Sequence, residues 1–407
     1  MSWFPLRSLM PSRPPSGAVS LSVDPYSQKA IEQPDSTYRE LLGAGPVVWL
    51  PKYRVLAVSR FDPLRALLRN DKDFISSRGV TMNPILNAAA KTSATVLVSD
   101  GETHDRLRKF MMAPMRPRAL KELGERIRTT AAERVDLLLS RGRFEGMQEL
   151  ASHLPVTIVA ELVGLPKAER AKMVDWSKST FNTIGPLNWR ALPSIPKVAD
   201  MFRFQRGLDR DQLEPGSWVE RLFELRDEGE LRHSEAIGMV IDYIAPSLDT
   251  TIFATGHLLR RLAQHEDQWE KLKANPDLIP AAVDESLRID SVVRAFTRVA
   301  ARDVEFEGTA IPEGQRILTV YGAANRDERR YPDPDRFDIT RDARDNLAFG
   351  HGPHACAGTR LARIEMETLL ETILERVDRI EVGDPVVSNN NTLHGFDELP
   401  MQLFARA

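Results

Sequence analysis

Apolar side chains recur with helical spacing along most of the chain, whereas strand-like patterns are confined to short stretches near its two ends. Three regions are predicted to be helical, namely residues 61–68, 104–272 and 357–377. Within the second region, a long helix is predicted over residues 234–262, with an N-cap at Ser234. Strands or hairpins are predicted at residues 47–50, 54–58, 303–314 and 386–404.

No linker-like stretch divides this pattern, which predicts a mainly α fold with small peripheral β-sheets. Residues 25–407 are predicted to form a single domain. Residues 1–24 contain four prolines and two arginines, and they are predicted to form a flexible N-terminal arm. Residues 78–99 are irregular, as binding-site walls often are, and substrate specificity is predicted to depend in part on residues 78–97.

Composition restricts the function. The 407 residues include 55 basic and 58 acidic side chains, for a net charge of −3, and 42% are hydrophobic. These values argue against a disordered chain and against a general nucleic-acid-binding protein. No apolar run approaches 18 residues, so no membrane span is predicted. The single cysteine excludes an internal disulfide and a cysteine-cluster zinc site, and it fits a cytoplasmic protein.

That cysteine, Cys356, lies in a glycine-rich segment that runs from Phe349 to Gly358. Glycine allows positive φ angles and a close approach of the backbone to a flat molecule. A helix is predicted directly after the loop, and its N-terminus would favour the thiolate. The residues alone leave alternatives open. A lone cysteine is often a small buried apolar residue, and a Cys/His hydrolase nucleophile is possible, although neither protease signature is present.

The loop resembles the Phe-Gly-x-Gly-x-x-x-Cys-x-Gly motif of the cytochromes P450, which it matches at five positions. This resemblance implies the cytochrome P450 fold, a haem b cofactor and Cys356 as the axial ligand of its iron. Phe349 and Gly350 would then lie against the cofactor. The chain contains no recognisable flavin or iron–sulfur module.

A second motif has the order and distance that the resemblance requires. Glu285 and Arg288 are three residues apart on a predicted helix, so they share one face and can form an ion pair. They precede Cys356 by about 70 residues. Residues 331–337 resemble a further family motif, and Arg336 within it is predicted to complete a cluster with Glu285 and Arg288. The implied role of this cluster is to hold the cysteine loop.

Haem brings two propionate carboxylates, which need charge-assisted partners. Four residues match the family positions that bind these groups, and they are His104, Arg108, Arg298 and His354.

The centre of the long helix carries an acid followed by an alcohol, Asp249 and Thr250. The family places such a pair at a break in this helix, where a hydroxyl and a carboxyl can relay protons to dioxygen through water. The resemblance therefore implies that Asp249 and Thr250 are catalytic. Pro246 replaces a usual small residue, and it is predicted to kink the helix because it lacks a backbone N–H.

Several segments resemble bacterial family members that oxidise small para-substituted benzenes. The predicted substrate contacts are Phe181, Ile244, Ser247, Val293 and Phe296. Members that bind a benzoate carboxylate use serines on the central helix. Asp242 and Ala245 stand near those positions here, so the resemblance does not extend to a carboxylate clamp.

The resemblance implies a soluble, cytoplasmic monooxygenase that uses dioxygen to hydroxylate or dealkylate a small aromatic or otherwise hydrophobic substrate. Electrons would come from a ferredoxin or flavodoxin with an NAD(P)H-dependent reductase. Five basic residues are candidates for docking this acidic partner, and they are Arg106, Lys109, Arg116, Arg360 and Arg363. The alternative is a haem-binding sensor or carrier without turnover.

Overall fold

The structure is a computed structural model that describes residues 13–90 and 95–406. In these residues the α-helices are α1 (Gln28–Glu32), α2 (Pro34–Ala44), α3 (Phe61–Arg69), α4 (Pro84–Ala90), α5 (Gly101–Met112), α6 (Pro117–Arg141), α7 (Ala160–Val163), α8 (Lys167–Arg170), α9 (Met173–Ile184), α10 (Ile195–Arg206), α11 (Trp218–Asp227), α12 (His233–Ile244), α13 (Asp249–Gln264), α14 (Glu266–Ala274), α15 (Ile279–Ile289), α16 (Tyr321–Ala324) and α17 (Thr359–Arg376). The strands are β1 (Val19–Ser20), β2 (Val47–Leu50), β3 (Val55–Val58), β4 (Phe74–Ile75), β5 (Arg143–Glu145), β6 (Phe296–Ala300), β7 (Val304–Phe306), β8 (Thr309–Ile311), β9 (Arg316–Thr319), β10 (Val377–Val382), β11 (Val386–Val387), β12 (Phe396–Glu398) and β13 (Pro400–Ala405).

The prediction of a mainly α fold with small sheets is confirmed. The largest sheet has the order β1-β2-β3-β9-β6-β4, and the smaller ones are β10-β13-β5, β11-β12 and β7-β8. The main hydrophobic core lies among the helices, where α13 packs against α15 and α17 packs against α6 and α15. This packing places α13 and the start of α17 on either side of one interior cavity.

The N-terminal arm is less loose than predicted. Val19 and Ser20 pair in parallel with β2. The Tyr53 hydroxyl donates a 2.6 Å hydrogen bond to Asp24. Residues 19–24 are therefore held against the large sheet by backbone pairing and by the Asp24 carboxylate. Residues 1–12 lie outside the described residues.

The long central helix is broken as predicted, but it begins differently. The helix α12 starts at His233, where the Glu235 carboxylate accepts from the backbone N–H of Arg232 at 2.9 Å, so Ser234 is not its N-cap. Residues 245–248 interrupt the helix at Pro246 before α13 begins. The segment His233–Gln264 is long and apolar enough to cross a membrane, but 67% of its most apolar window is buried inside the protein, as in a core helix.

Candidate active site

The cysteine loop is shaped by glycines at positions that other residues would strain. Gly350 and Gly352 have φ angles of 69° and 74°. A Cβ atom on Gly352 would lie 2.4 Å from the carbonyl oxygen of Leu68. The Cys356 backbone N–H donates to the carbonyl of Phe349 at 2.8 Å, which closes the loop. The loop therefore lies directly against α3 and presents Cys356 to the cavity.

The Cys356 side chain is exposed, but it is exposed to the interior cavity that it lines. Burial away from outside water raises the pKa of the Cys356 thiol. Backbone N–H groups of Gly358 and Thr359, the Thr359 hydroxyl and the charge of Arg108 act in the opposite direction. The expectation that the helix N-terminus favours the thiolate identifies a real effect, but without a bound cation burial outweighs it.

A cavity of about 330 Å³ lies beside Cys356. Three of the four predicted propionate ligands line it, and these are Arg108, Arg298 and His354. His104 is buried behind them, with its ring 4.3 Å from that of His354 and with Nε2 lacking a hydrogen-bond partner in the described chain.

Neither arginine on this wall has a carboxylate partner within hydrogen-bonding distance among the described residues. Arg298 is 4% exposed and donates to the carbonyl of Thr297, and Arg108 donates to the carbonyl of Ala355 at 2.6 Å. Neither forms an ion pair with a carboxylate among residues 13–90 and 95–406. A buried guanidinium without a counter-ion is unfavourable, so this edge of the cavity suits an anionic ligand.

The predicted ion-pair cluster forms with one change. Glu285 and Arg288 are both fully buried, and two hydrogen bonds of 2.6 and 2.8 Å join them. The third member is Arg341, whose Nε lies 3.2 Å from the Glu285 carboxylate. The side chain of Arg336 is exposed, and only its backbone carbonyl faces Arg288. The prediction of Arg336 is therefore wrong, because the loop turns its side chain outwards and brings Arg341 to the carboxylate.

The acid and the alcohol of the central helix take different positions at the break. Thr250 lines the cavity, and its hydroxyl donates to the carbonyl of Pro246 at 2.9 Å. Asp249 is 2% exposed and faces α9, with one carboxylate oxygen unpartnered among the described residues. Burial raises the pKa of Asp249 to about 7, although a hydrogen bond from Ser177 and the charge of Lys178 oppose the shift. This carboxyl can exchange a proton near neutral pH.

Relatives across the whole chain decide which family this is. Cytochrome p450 CYP199A2 of Rhodopseudomonas palustris is 32% identical over 97% of this chain and 96% of its own. The cytochrome P450 monooxygenase PikC of Streptomyces venezuelae is 31% identical over 94% of each. The chain belongs to the cytochrome P450 family. The family profile described as cytochrome P450 matches residues 274–396. The crystal structure of P450BioI with a ligated acyl carrier protein has a TM-score of 0.83 at 26% identity, covering 92% of this chain and 99% of that one.

The protein is thus a cytochrome P450 monooxygenase, an oxidoreductase with a haem cofactor. The cavity fits haem because a thiol lies on its wall and unpaired cations lie at its edge. Phe349 and Gly350 also line the cavity, next to the predicted cysteine ligand.

We call the cavity residues from α9, α12, residues 245–248 and residues 292–296 the substrate wall. Four of the five predicted substrate contacts belong to it. These four are Phe181, Ser247, Val293 and Phe296. The rings of Phe181 and Phe296 are stacked 6.4 Å apart. The fifth predicted contact, Ile244, is wrong. It is fully buried in the main core and does not line the cavity. Ile241 on α12 and Ala245 directly after it face the cavity instead.

Two acidic residues on the cavity wall were not predicted as site residues. Asp242 lies on α12, eight residues before Thr250, and its nearness to the positions where benzoate-binding members carry serines could have revealed it. Glu365 lies on α17, and burial raises its pKa to about 8. No motif marks Glu365, so only the folded structure identifies it.

Proposed function

We propose that this cytochrome P450 hydroxylates or oxidatively dealkylates a small aromatic or otherwise hydrophobic substrate. Its cofactor would be haem b, and its electrons would come from a separate ferredoxin or flavodoxin with an NAD(P)H-dependent reductase in the cytoplasm. The main support is that one cavity brings Cys356, Thr250 and the substrate wall together. A thiol ligand, a proton-donating hydroxyl and an apolar slot are the parts that such a reaction requires.

The bound haem supplies the dioxygen-activating chemistry. Cys356 would bind its iron as the thiolate, and Arg108 and Arg298 would neutralise its carboxylates. The Thr250 hydroxyl is fixed at the cavity wall by the Pro246 carbonyl, where it can hold a water or pass on a proton. Asp249 lies one residue before Thr250 and faces away from the cavity. We propose that it supplies protons to the Thr250 hydroxyl after each transfer.

Two partly exposed charged residues, Lys178 and Asp397, act electrostatically on the buried Asp249. Lys178 contributes an electrostatic interaction to Asp249, and its ammonium donates to Asp397 at 2.7 Å. Lys178 and Asp397 have side chains that are 39% and 36% exposed. We therefore propose that protons reach Asp249 from this side of the protein.

The substrate wall favours a flat apolar molecule. The stacked rings of Phe181 and Phe296, with Val293 beside them, offer surfaces on which an aromatic ring can pack. The Ser247 hydroxyl donates to the carbonyl of Ile244 at the end of α12 at 3.2 Å, so it adds little polarity to the wall. This arrangement supports an aromatic substrate more than a polar one.

The docking surface for the electron donor is smaller than the sequence suggested. Arg106 and Arg363 form ion pairs with the buried carboxylates of Glu235 and Asp284, so they are already engaged. Three exposed cations remain, and they are Lys109, Arg116 and Arg360. Reversing the charge at Arg116 and Arg360 together should slow reduction by the ferredoxin and weaken its dependence on ionic strength. Unchanged rates would exclude this surface.

The first test is the carbon monoxide difference spectrum of the reduced holoprotein, with Cys356→Ser as its comparison. A strongly red-shifted Soret band that the variant lacks supports thiolate ligation. A protein that folds without haem would revive the cysteine hydrolase, which predicts covalent labelling of the thiol. A thiolate spectrum without consumption of NAD(P)H in the presence of reductase and substrate would favour the haem-binding sensor or carrier.

The second test separates catalysis from haem binding. Thr250→Ala should keep the spectrum but divert NAD(P)H consumption from product to peroxide, because the proton relay is lost. Thr255→Ala is a matched control, since Thr255 lies on the same helix α13 but is buried away from the cavity. Equal coupling of product formation in both variants would contradict the role of Thr250.

A further inference from the structure

A carboxyl group lies in the largely apolar substrate wall. Asp242 is on α12, and its side chain and that of Thr250 both line the cavity. Asp242 is partly exposed, and it is one of the residues that line the cavity. The backbone N–H of Val96 donates to its Oδ2 at 2.7 Å, which holds the carboxyl in place.

The neighbours of Asp242 on this wall are apolar. Val96, Leu97, Ile241 and Ala245 line the cavity around it. Four of the remaining ionisable groups on the described part of the cavity wall belong to the predicted haem site, and they are Arg108, Arg298, His354 and Cys356. The others are two tyrosines, Tyr243 on α12 and Tyr321 on α16, and Glu365 on α17. Asp242 is therefore the acidic group that a substrate on this wall would meet.

Nothing among the described residues neutralises this acid. No Lys, Arg or His side chain within residues 13–90 and 95–406 forms an ion pair with Asp242. Burial raises its pKa to about 7, although the backbone N–H groups of Val96 and Leu97 favour the charged form. A carboxyl in this setting gains most from a partner that brings its own positive charge and a hydrogen to donate.

We propose that Asp242 binds a protonated amine on the substrate, so that the pocket selects small aromatic bases and rejects carboxylates. The inference rests on the proposed function, because it assumes that the substrate is oxidised in this cavity. Asp242 and Thr250 lie on either side of the break at residues 245–248, and both line the same cavity. A benzene ring can thus lie between them, with its amine at Asp242 and its opposite substituent near Thr250.

Three ligands of nearly the same shape test this selection. They are 4-methoxy-N,N-dimethylbenzylamine, 4-isobutylanisole and 4-methoxyphenylacetate, which carry a positive, a zero and a negative charge at one end of the same ring. Dissociation constants are measured by calorimetry on the haem-loaded protein. The amine should bind about 10- to 100-fold more tightly than its neutral analogue, which is the range for a hydrogen bond to a charged group, and the acid should bind most weakly.

Variants assign the preference to Asp242. Asp242→Asn keeps an acceptor for the Val96 N–H but removes the charge, so it should bind the amine and the neutral analogue equally well. Asp211→Asn removes one charge from an exposed position and should keep the wild-type order. Lys91 lies outside the described residues, and Lys91→Met should also keep that order. A changed order in Lys91→Met would mean that the protein supplies its own cation, which overturns the inference.

Two other results would also overturn it. In the first, the wild-type protein binds the acid or the neutral analogue most tightly. This result overturns the inference even if the Asp242 variant does not fold. In the second, the Asp242→Asn protein has an unchanged preference for the amine. Failure of the proposed function has a different signature, because a reduced protein without the thiolate Soret band would reject the oxygenase while calorimetry still reports on Asp242.

Discussion

The buried cluster around Glu285 offers the sharpest test of how the cysteine loop is held. Glu285→Gln keeps the shape of the side chain but removes its charge. The carboxylate accepts two hydrogen bonds from Arg288, one from Arg341 and one from the backbone N–H of Asp338 at 3.1 Å. Since Glu285 and Arg288 are both 0% exposed, the variant leaves a buried guanidinium without its counter-charge. Breaking a buried pair in this way typically costs about 3–5 kcal/mol of unfolding free energy.

The cluster should also govern haem retention. Arg288 donates at 2.9 Å to the carbonyls of Asn325 and Pro334. Asn325 in turn accepts from the backbone N–H of Leu347 at 2.7 Å, two residues before Phe349. A loosened Arg288 therefore frees the segment that leads into the cysteine loop. In urea titrations of the holoprotein, Glu285→Gln should lose its Soret absorbance at a lower urea concentration than wild type, and before its far-UV dichroism changes.

Two further variants compare the contributions of Arg341 and Arg336 to the free energy of unfolding. Arg341→Met removes one hydrogen bond to a charged group and should cost about 1.5–3 kcal/mol. Arg336→Met changes an exposed side chain and should stay within about 0.5 kcal/mol of wild type. Equal effects of these two substitutions, or a cost below about 1 kcal/mol for Glu285→Gln, would refute the assigned cluster.

Three other perturbations have defined outcomes. Gly352→Ala should lower the haem content of purified protein, because a Cβ there meets the Leu68 carbonyl at a φ of 74°, whereas Gly43→Ala has open space and should be neutral or stabilising. Arg298→Leu should weaken haem affinity about 10- to 100-fold in a haem-transfer assay, since it removes a buried cation from the cavity edge. Asp249 has a pKa raised from 3.8 to about 7, so its neutral form contributes stability at low pH that is lost as the pH rises from about 4 through 7. This loss is worth up to about 4 kcal/mol. Chemical denaturation at pH 5 and pH 8 should show Asp249→Asn gaining stability relative to wild type at the higher pH, and an equal difference at both values would contradict the buried neutral acid.

Much of the fold and the chemistry was predictable because the informative residues are close in sequence. The glycines around Cys356 act through local backbone angles, so the loop can be recognised from the amino-acid sequence. The spacing of Glu285 and Arg288 fixes their pairing on one helical turn. The break at Pro246 follows from a missing backbone N–H, and the structure has it where the sequence predicts it.

The errors lie where a residue's direction depends on distant elements. Ile244 was predicted to face the substrate, but helical spacing gives relative positions on a face and not which face meets the cavity. Arg336 and Arg341 lie in an irregular segment without a period, so their directions depend on packing against α15.

The sequence by itself determined the family, and it also pointed to Cys356 as the expected ligand and to Asp249 and Thr250 as the expected acid–alcohol pair, because each depends on residue identity and short-range geometry. Tertiary structure alone decided the electrostatic character of the site. The pKa of Asp249 and the pKa of Cys356 both rise because long-range packing removes water from them. It also decided that Asp242 faces the cavity, since that requires α12 and Val96 to meet across 146 positions of the chain. Desolvation is a property of the assembled interior, and no local pattern encodes it.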